Sequence, residues 1–321
     1  MRLIEGIENL TEKLPYPVLT IGNFDGVHLG HQAILQMVKE RAKKENGTSI
    51  VLTFEPHPLK IIAIEKAPRL ITPFKEKVRL IEDFGIEVVI CIKFTEEFSK
   101  MEASDFVKNI LVDVISVKEV FVGSNYLFGR DRKGSPELLK GMGEKYGFKV
   151  WVVQEIKLND IAISSSEIRC LIDKGKVEEA SRLLGRDYSI EGVVVEGSKK
   201  GKKLFNTPTA NIATSSELLP KNGVYAVTVH LLDESPIEGK TYQGAANIGY
   251  NPTVGGERFG CEVHIFEFDK NILGRTLRIN FAKRIRDEIK FHKTEDLALQ
   301  IKKDIEVIKK ILNSKQRLFS A

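Results

Sequence analysis

The hydrophobic pattern of this 321-residue chain changes kind once, near residue 188, and that change limits the architectures open to it. From about residue 16 to 152, short apolar runs alternate with segments of helical periodicity. VLTIGNF (18–24), SIVLTFEP (49–56), EVVICIKF (87–94), EVFVGSNY (119–126) and KVWVVQEI (149–156) read as buried strands. Between them, HQAILQMVKERAKK (31–44) puts Ala33, Ile34, Met37, Val38 and Ala42 on one helical stripe. FKEKVRLIEDFG (74–85) and SDFVKNILVDVI (104–115) are further helices, the second opened by Ser104 as its cap. Alternation of this kind predicts a parallel, doubly wound α/β sheet.

After a pair of short helices in SSEIRCLIDKGKVEEASRLLGRD, the chain becomes strand after strand. SIEGVVVEG (189–197), GVYAVTVHLL (223–232), YQGAANIG (242–249), CEVHIFEF (261–268) and TLRINFAKRI (276–285) alternate apolar and polar residues between Gly, Pro, Asn and Asp turns. The spacing predicts a small antiparallel β-barrel. A closing helix over 294–313 presents Leu297, Ile301, Ile305 and Ile308. The boundary falls at about 184–190, which gives domains 1–186 and 187–321. The length suits two domains.

Composition narrows the setting. Cys91, Cys170 and Cys261 lie far apart with no CxxC pair, so neither a disulfide framework nor a cysteine zinc cluster is expected, and a reducing cytoplasm is. No apolar run reaches the roughly 18 residues that span a bilayer, and the N-terminus has no apolar signal core. The net charge is +5, and residues 281–321 hold 11 Lys/Arg against 6 Asp/Glu. There the basic residues alternate with acids and no aromatic stripe accompanies them. That stretch reads as a solvated amphipathic helix and not as a nucleic-acid surface.

The residues that carry chemistry in the first half follow the first strand. Gly22-Asn23-Phe24-Asp25-Gly26-Val27-His28-Leu29-Gly30-His31 leads into the first helix. Glycines allow close backbone approach to a phosphate, and a helix N-terminus offers free N–H groups to an anion. His28 and His31, three apart in the first turn, can donate to phosphate oxygens as charge builds in a transition state. The plainer reading of one such histidine is a helix cap. A zinc pair would need a third ligand, and none is obvious.

GNFDGVHLGH resembles the signature of HxGH nucleotidyltransferases, and in particular the adenylyltransferase half of bacterial bifunctional riboflavin kinase/FAD synthetases. Thr53-Phe54-Glu55-Pro56-His57-Pro58, Gly123-Ser124-Asn125-Tyr126-Leu127-Phe128-Gly129 and Ile163-Ser164-Ser165-Ser166-Glu167-Ile168-Arg169 agree with that family in order and spacing. Asn125 stands where some relatives have Asp, and Ser166 where the family has Thr. The resemblance implies catalytic roles for His28 and His31. It implies ATP contacts from Gly22, Asn23, Phe24, Asp25, Gly30, Asn125, Ser164, Ser165 and Arg169. It also implies a flavin wall from Phe54, Pro56, His57 and Pro58.

The second half carries the same resemblance. Lys199-Lys200-Gly201-Lys202-Lys203 precedes Thr207-Pro208-Thr209-Ala210-Asn211, similar to the riboflavin kinase PTAN signature. Asn247-Ile248-Gly249 with Asn251-Pro252-Thr253 resembles the NIGxxPT turn, and Cys261-Glu262-Val263-His264 the strand with the catalytic glutamate. Phe281 to Phe291, with Arg286, resembles the run before the closing helix. The implied roles are Glu262 as general base and Thr209 and Asn211 as Mg²⁺ ligands. Gly197, Lys202, Lys203, Pro208, Thr209 and Asn211 would hold ATP phosphates, and Arg286 would contact flavin. One departure is Leu204-Phe205-Asn206-Thr207, which replaces the family's Gly-aromatic approach to PTAN and is one residue longer. Gly192 to Lys199 has Walker-A glycine spacing but lacks Gly-Lys-Ser/Thr and sits on a strand.

The implied function is bifunctional: riboflavin and ATP·Mg²⁺ to FMN, then FMN and ATP to FAD and pyrophosphate. The partners are small molecules, with no nucleic acid and no membrane, in a monomer or weak homo-oligomer. The nearest alternative is a monofunctional FAD synthetase with a degenerate flavin-binding barrel. An RNA-binding, synthetase-like module would need a KMSKS-type lysine motif, which is not present. A flavin-storing binder would not need Glu262, His28 or His31.

Overall fold

The structure is a computed structural model that describes residues 1–158, 161–196, 209–232, 240–253 and 256–319. It divides into two compact units, Met1–Ser165 and Ser166–Ala321.

In the first unit six parallel strands form one sheet in the order β1-β4-β3-β2-β5-β6. They are β1 (Arg2–Glu5), β2 (Pro17–Ile21), β3 (Thr48–Glu55), β4 (Val88–Lys93), β5 (Glu119–Gly123) and β6 (Lys149–Val153). Helices α1 (Leu29–Lys44), α2 (Pro58–Ile62), α3 (Phe74–Asp83), α4 (Glu96–Ser99), α5 (Ala103–Asp105) and α6 (Pro136–Tyr146) lie between or beside them. Strand β2 has β3 on one side and β5 on the other, so the winding reverses there. In open α/β sheets ligands bind beyond the carboxyl ends of strands at such a reversal. Both faces of the sheet are packed: Leu19, Leu52, Ile90 and Val120 in one cluster, Val18, Val51, Val89 and Phe121 in another. This two-sided burial is why the strands read as unbroken apolar runs.

Several details differ from the sequence reading. β1 was not expected: only Ile4 of its four residues is buried, because it is an edge strand paired on β4 alone. In α1 the buried residues are Leu35, Val38 and Ala42, and Met37 is exposed. The segment 104–115 is a short α turn followed by a π-helix, Phe106–Val114, and Ser104 is not its cap. The buried set Phe106, Val107, Ile110 and Leu111 suits either winding, so periodicity could not tell them apart.

In the second unit six antiparallel strands close a barrel in the order β10-β13-β12-β11-β14-β9. They are β9 (Tyr188–Val195), β10 (Ala210–Thr214), β11 (Gly223–Leu231), β12 (Tyr242–Thr253), β13 (Gly256–Ile265) and β14 (Thr276–Arg286). A short β7–β8 hairpin, Lys157–Leu158 and Ile161–Ala162, precedes α7 (Ser165–Asp173) and α8 (Val177–Leu184). Alternate residues fill the barrel: Tyr225, Val227 and Val229 on β11, Leu277, Ile279 and Phe281 on β14. Gly192, one of the Walker-like glycines, has a packing role. A Cβ there would lie 2.5 Å from Ile212 Cγ2, so glycine lets β9 close on β10. The closing helix, Thr294–Phe319, buries Ile308 and Leu312 against Ala226, Phe266 and Ala282. Helix α8 packs on β14 and β9, which places the helix pair with the barrel.

A buried charge network ties the first sheet together. Glu119, fully buried on β5, accepts from Arg41 Nε (2.8 Å) and Nη2 (2.7 Å), Trp151 Nε1 (2.7 Å) and Tyr16 Oη (2.8 Å). Burial alone would raise its pKa, but the three donors outweigh that and hold it below the usual 4.5. Removing one partner of a buried pair typically costs about 3–5 kcal/mol, so Glu119→Ala should lose about that much in urea unfolding. A depressed folded pKa makes the contribution complete above pH 4.5 and progressively lost as pH falls through the folded value. Wild type and Glu119→Ala should therefore converge in stability on acidification.

Candidate active sites

The loop after β2 is backbone-strained where the chemistry was expected. Phe24 and Val27 adopt positive φ (51° and 39°), as does Gly26 (85°). A β-branched residue at positive φ is uncommon, and such strain clusters at functional sites. The surroundings hold the shape. Phe24 and Val27 are buried, Gln32 Nε2 donates to the Val27 carbonyl (2.8 Å), and the Asp25 carboxylate accepts from the backbone N–H groups of Ile71 (3.0 Å) and Thr72 (3.1 Å). Asp25 thus spends its charge on the segment 71–72. Its backbone carbonyl accepts from Ser165 Oγ (2.8 Å), which brings the start of α7 to this loop.

The two histidines meet. His28 is the N-cap of α1 and its Nδ1 accepts from the His31 N–H (3.3 Å), so the neutral ring carries its proton on Nε2. The rings stack with centroids 3.6 Å apart, and Phe24 meets His31 edge-on at 5.1 Å. His28 thus takes the plainer reading, a helix cap, and also stacks on His31. A Cβ on Gly30 would stand 3.1 Å from the His28 ring and 3.6 Å from the Ile163 carbonyl, so glycine lets Ile163-Ser164-Ser165 run against the pair. Gly22 continues from β2, its N–H bonded to the Leu52 carbonyl at 3.1 Å. Asn125 is exposed just beyond β5, across the reversal from β2. Arg169 lies on α7 one turn after Ser165. Among the described residues, no three His, Cys, Asp or Glu gather as a metal cage.

On the β3 side a pocket of about 270 Å³, mouth included, is lined by Asn23, Phe54, Glu55, His57, Phe74 and Lys77 among others. His57 caps α2, with Pro58 at its first position, and its Nε2 stands 3.2 Å from Asn23 Nδ2. The Phe54 wall and the HxGH loop are thus joined, with Pro56 between Phe54 and His57 in the chain. Lys77 was missed by sequence reasoning. Its Nζ is 3.2 Å from both the Asn23 carbonyl and Thr53 Oγ1, and 5.2 Å from the Phe74 ring centroid. Burial lowers its pKa, opposed by the fields of Glu55, Cys91 and Asp25. The signal was present in the sequence: Lys77 falls at helical spacing between Phe74 and Leu80–Ile81, in the stripe that packs inward.

In the barrel, register assembles the second site. Asn211 on β10 lies opposite Glu262 on β13, and Glu262 lies opposite Asn247 on β12. Directly paired residues share a face, so one carboxylate is flanked by an amide on each side. Cys261, Val263 and Ile265 take the interior, and burial pushes the Glu262 carboxyl above its ordinary range. Thr209 immediately precedes β10. Hydroxyl, amide and carboxylate oxygens are hard donors of the kind Mg²⁺ prefers, so this set fits the ion. Asn247 Nδ2 also lies 3.4 Å from Glu288 Oε1. Gly197, Lys202, Lys203 and Pro208 lie outside the described residues, as does the Leu204–Thr207 departure. Arg286 makes a forked pair with Asp304 of the closing helix (2.9 and 2.7 Å) and donates to the Asp287 carbonyl. Strand β13 ends at Ile265, earlier than expected, and Glu267 (φ 54°) turns to pair with Lys309 at 2.8 Å.

Two family models match the chain, FAD synthetase over residues 11–167 and riboflavin kinase over 184–312. A protein named bifunctional riboflavin kinase/FMN adenylyltransferase from Buchnera aphidicola subsp. Schizaphis graminum is 39% identical over 98% of this chain and 99% of its own length. The chain belongs to the bifunctional riboflavin kinase/FMN adenylyltransferase family. The protein so named from Escherichia coli K12 is 38% identical over 95% of this chain and 96% of its own. A solved Streptococcus pneumoniae structure, called a macrolide-efflux protein, has the same architecture: TM-score 0.84 and 30% identity over 96% of this chain and 99% of that one. No described helix of the present chain is long and apolar enough to cross a membrane.

The cap geometry gives a stability test that is independent of catalysis. Replacing an N-cap side chain by alanine typically costs about 1 kcal/mol. His28→Ala should lower thermal stability by about that amount, and His28→Asn, which caps through its amide oxygen, should recover most of it.

Proposed function

We propose that the chain phosphorylates riboflavin to FMN in the barrel and adenylylates FMN to FAD in the parallel-sheet unit. The observation that supports this best is the assembly of two separate sites, each from motifs scattered along its own half. Presence of both family regions favours this reading over a single synthetase with a degenerate barrel.

In the adenylyl transfer, the FMN phosphate attacks the ATP α-phosphorus and pyrophosphate leaves. His28 and His31 donate to phosphate oxygens as charge develops, the proton on His28 Nε2 being set by the cap. Gly22, Asn23, Phe24, Gly30, Asn125, Ser164, Ser165 and Arg169 bind ATP, and Asp25 acts by holding the loop. Phe54, Pro56, His57 and Pro58 face the flavin. In the kinase, Glu262 takes the proton of the ribityl hydroxyl, and its raised pKa brings it nearer the working range of a general base. Thr209 and Asn211 would hold Mg²⁺, which neutralises phosphate charge when bound. Such transfers are dominated by positioning and charge neutralisation. Gly197, Lys202, Lys203 and Pro208 complete the phosphate site in this reading. Arg286, committed to Asp304, shapes the flavin end of the barrel through the closing helix.

We assign the adenylyltransferase to 1–186 and the kinase to 187–321, with α7–α8 as packing support of the barrel. A cytoplasmic enzyme of small molecules, monomeric or weakly associating, fits this chemistry. The basic C-terminal stretch spends charge on Glu178, Asp287, Asp304 and Glu267, which supports a surface not built for nucleic acid.

Supplying riboflavin, ATP and Mg²⁺ and resolving FMN and FAD by chromatography tests the whole reading; failure to form either product refutes that half. His31→Ala should cut FAD formation about 10²–10³-fold with FMN formation near wild type. Glu262→Gln should slow FMN formation about 10²–10⁴-fold and leave FAD formation from supplied FMN untouched. Because the Glu262 carboxyl titrates above its ordinary value, kinase rate should fall on acidification through that raised pKa, a limb the glutamine variant should lack.

A further inference from the structure

We propose that Lys77 is a positioning residue for adenylyl transfer: from α3 it holds the peptide between Asn23 and Phe24 in the orientation that seats the Phe24 ring against His31. This rests on the activity proposed above and adds a residue that acts through the histidine pair.

Strand β2 pairs with β3 up to Ile21, opposite Leu52, whereas β3 continues beside β4 to Glu55. Beyond Gly22, whose N–H still bonds the Leu52 carbonyl, side chains take over from the ladder. The Asn23 carbonyl accepts from Lys77 Nζ at 3.2 Å and from Thr53 Oγ1 at 3.4 Å. Lys77 Nζ also donates to Thr53 Oγ1 at 3.2 Å, which closes a triangle. Thr53 is fully buried and Lys77 is 6% exposed. A buried ammonium is costly unless its donors are used. Lys77 closes no ion pair among the described residues, and its donors go to this carbonyl and this hydroxyl.

The carbonyl belongs to the peptide plane that precedes Phe24, so fixing it fixes the torsion about the Phe24 N–Cα bond. Phe24 stands at φ 51°, where a residue other than glycine is strained. A flip of that plane would return Phe24 to negative φ and turn the carbonyl away from Lys77 and Thr53. The Phe24 ring is closely placed. A Cβ on Gly22 would lie 3.2 Å from it, and the His31 ring meets it edge-on at 5.1 Å. His31 in turn stacks on His28. The clasp between loop and helix runs both ways. Asp25 accepts from Ile71 and Thr72, just before α3, and Lys77, one turn into α3, reaches back to Asn23. A side chain of similar length without the ammonium would keep the packing of α3 and release the peptide plane.

The test follows FAD formation from supplied FMN and ATP·Mg²⁺ in the full-length protein, with FMN formation from riboflavin as the internal control. A misplaced catalytic group can cost about 10²-fold, so Lys77→Met should lower kcat for FAD about 10–10²-fold. KM for ATP and for FMN should stay within about threefold, as for an interaction expressed in the transition state. FMN formation should stay near wild type. Thr53→Val, which removes only the hydroxyl, should lower kcat for FAD by a smaller factor, about threefold. Residues that act through one another are not additive, so in a His31→Ala background Lys77→Met should cost less than about threefold more. Wild-type kcat in Lys77→Met would overturn the proposal. A loss carried by either KM at unchanged kcat would make Lys77 a substrate contact and overturn it. A full loss on top of His31→Ala would make Lys77 a stability residue alone and also overturn it. If thermal melting shows Lys77→Met unfolded, Thr53→Val decides: wild-type kcat, or a loss additive with His31→Ala, overturns the proposal. Wild-type protein that makes no FAD from FMN would overturn the proposed activity itself, a separate result.

Discussion

The Asp25 carboxylate is the interaction on which the first site depends. A short acidic side chain accepts two backbone N–H groups from the segment 71–72, while its own carbonyl receives Ser165. Three stretches far apart in sequence are pinned at one residue. The positive φ values of Phe24, Gly26 and Val27 are tolerable because that pin and the buried side chains over-determine the loop. The loop in turn sets where α1 begins, and so where His28 caps it and where the two imidazoles stack. The same pin places Leu70 and Thr72 on the pocket beside Phe54. An acid that sequence marks as a candidate nucleotide contact also fastens the loop that carries it.

Much of the architecture was legible because burial on both faces and alternation on one leave different traces. β2 to β6 are apolar runs and the barrel strands alternate, so the change near residue 188 announced two kinds of sheet. What was hidden has physical causes. β1 buries a single side chain, so it leaves no run to read. The π-helix Phe106–Val114 keeps a helical spacing of apolar residues while its winding differs. Met37 fits the stripe of α1 by residue type but faces solvent, and Leu35 takes the inward place. At the sites, the HxGH loop and the pairing of Asn211 with Glu262 follow residues that sequence had marked. Lys77 was overlooked because lysines on helices are usually solvated, and the geometry of Arg286 with Asp304 depends on where a distant helix docks.

The two units solve the placement of polar chemistry differently. In the parallel sheet the candidate residues mostly stand on loops and helix starts beyond strand ends, so the strands can be largely apolar, Glu119 on β5 excepted, and the loops can be strained. In the barrel the candidate residues are on the strands themselves. Asn211, Glu262 and Asn247 occupy alternate positions among core residues, so the wall that closes the barrel is also the wall of the site.

That sharing couples threading to chemistry. On β13 the interior positions are Cys261, Val263 and Ile265, and the outward ones are Glu262 and His264. A slip of one residue exchanges the two sets completely, because the side-chain period of a strand is two. It would drive a carboxylate and an imidazole into the apolar interior and carry the flanking amides out of line with them. No partly working intermediate lies between the two arrangements. A barrel of this design has no graded failure through misregister: the pairing that satisfies the core is the pairing that sets Glu262 between its two amides, so with Glu262 as the proposed base, kinase turnover would report the strand alignment of the molecules that carry it out.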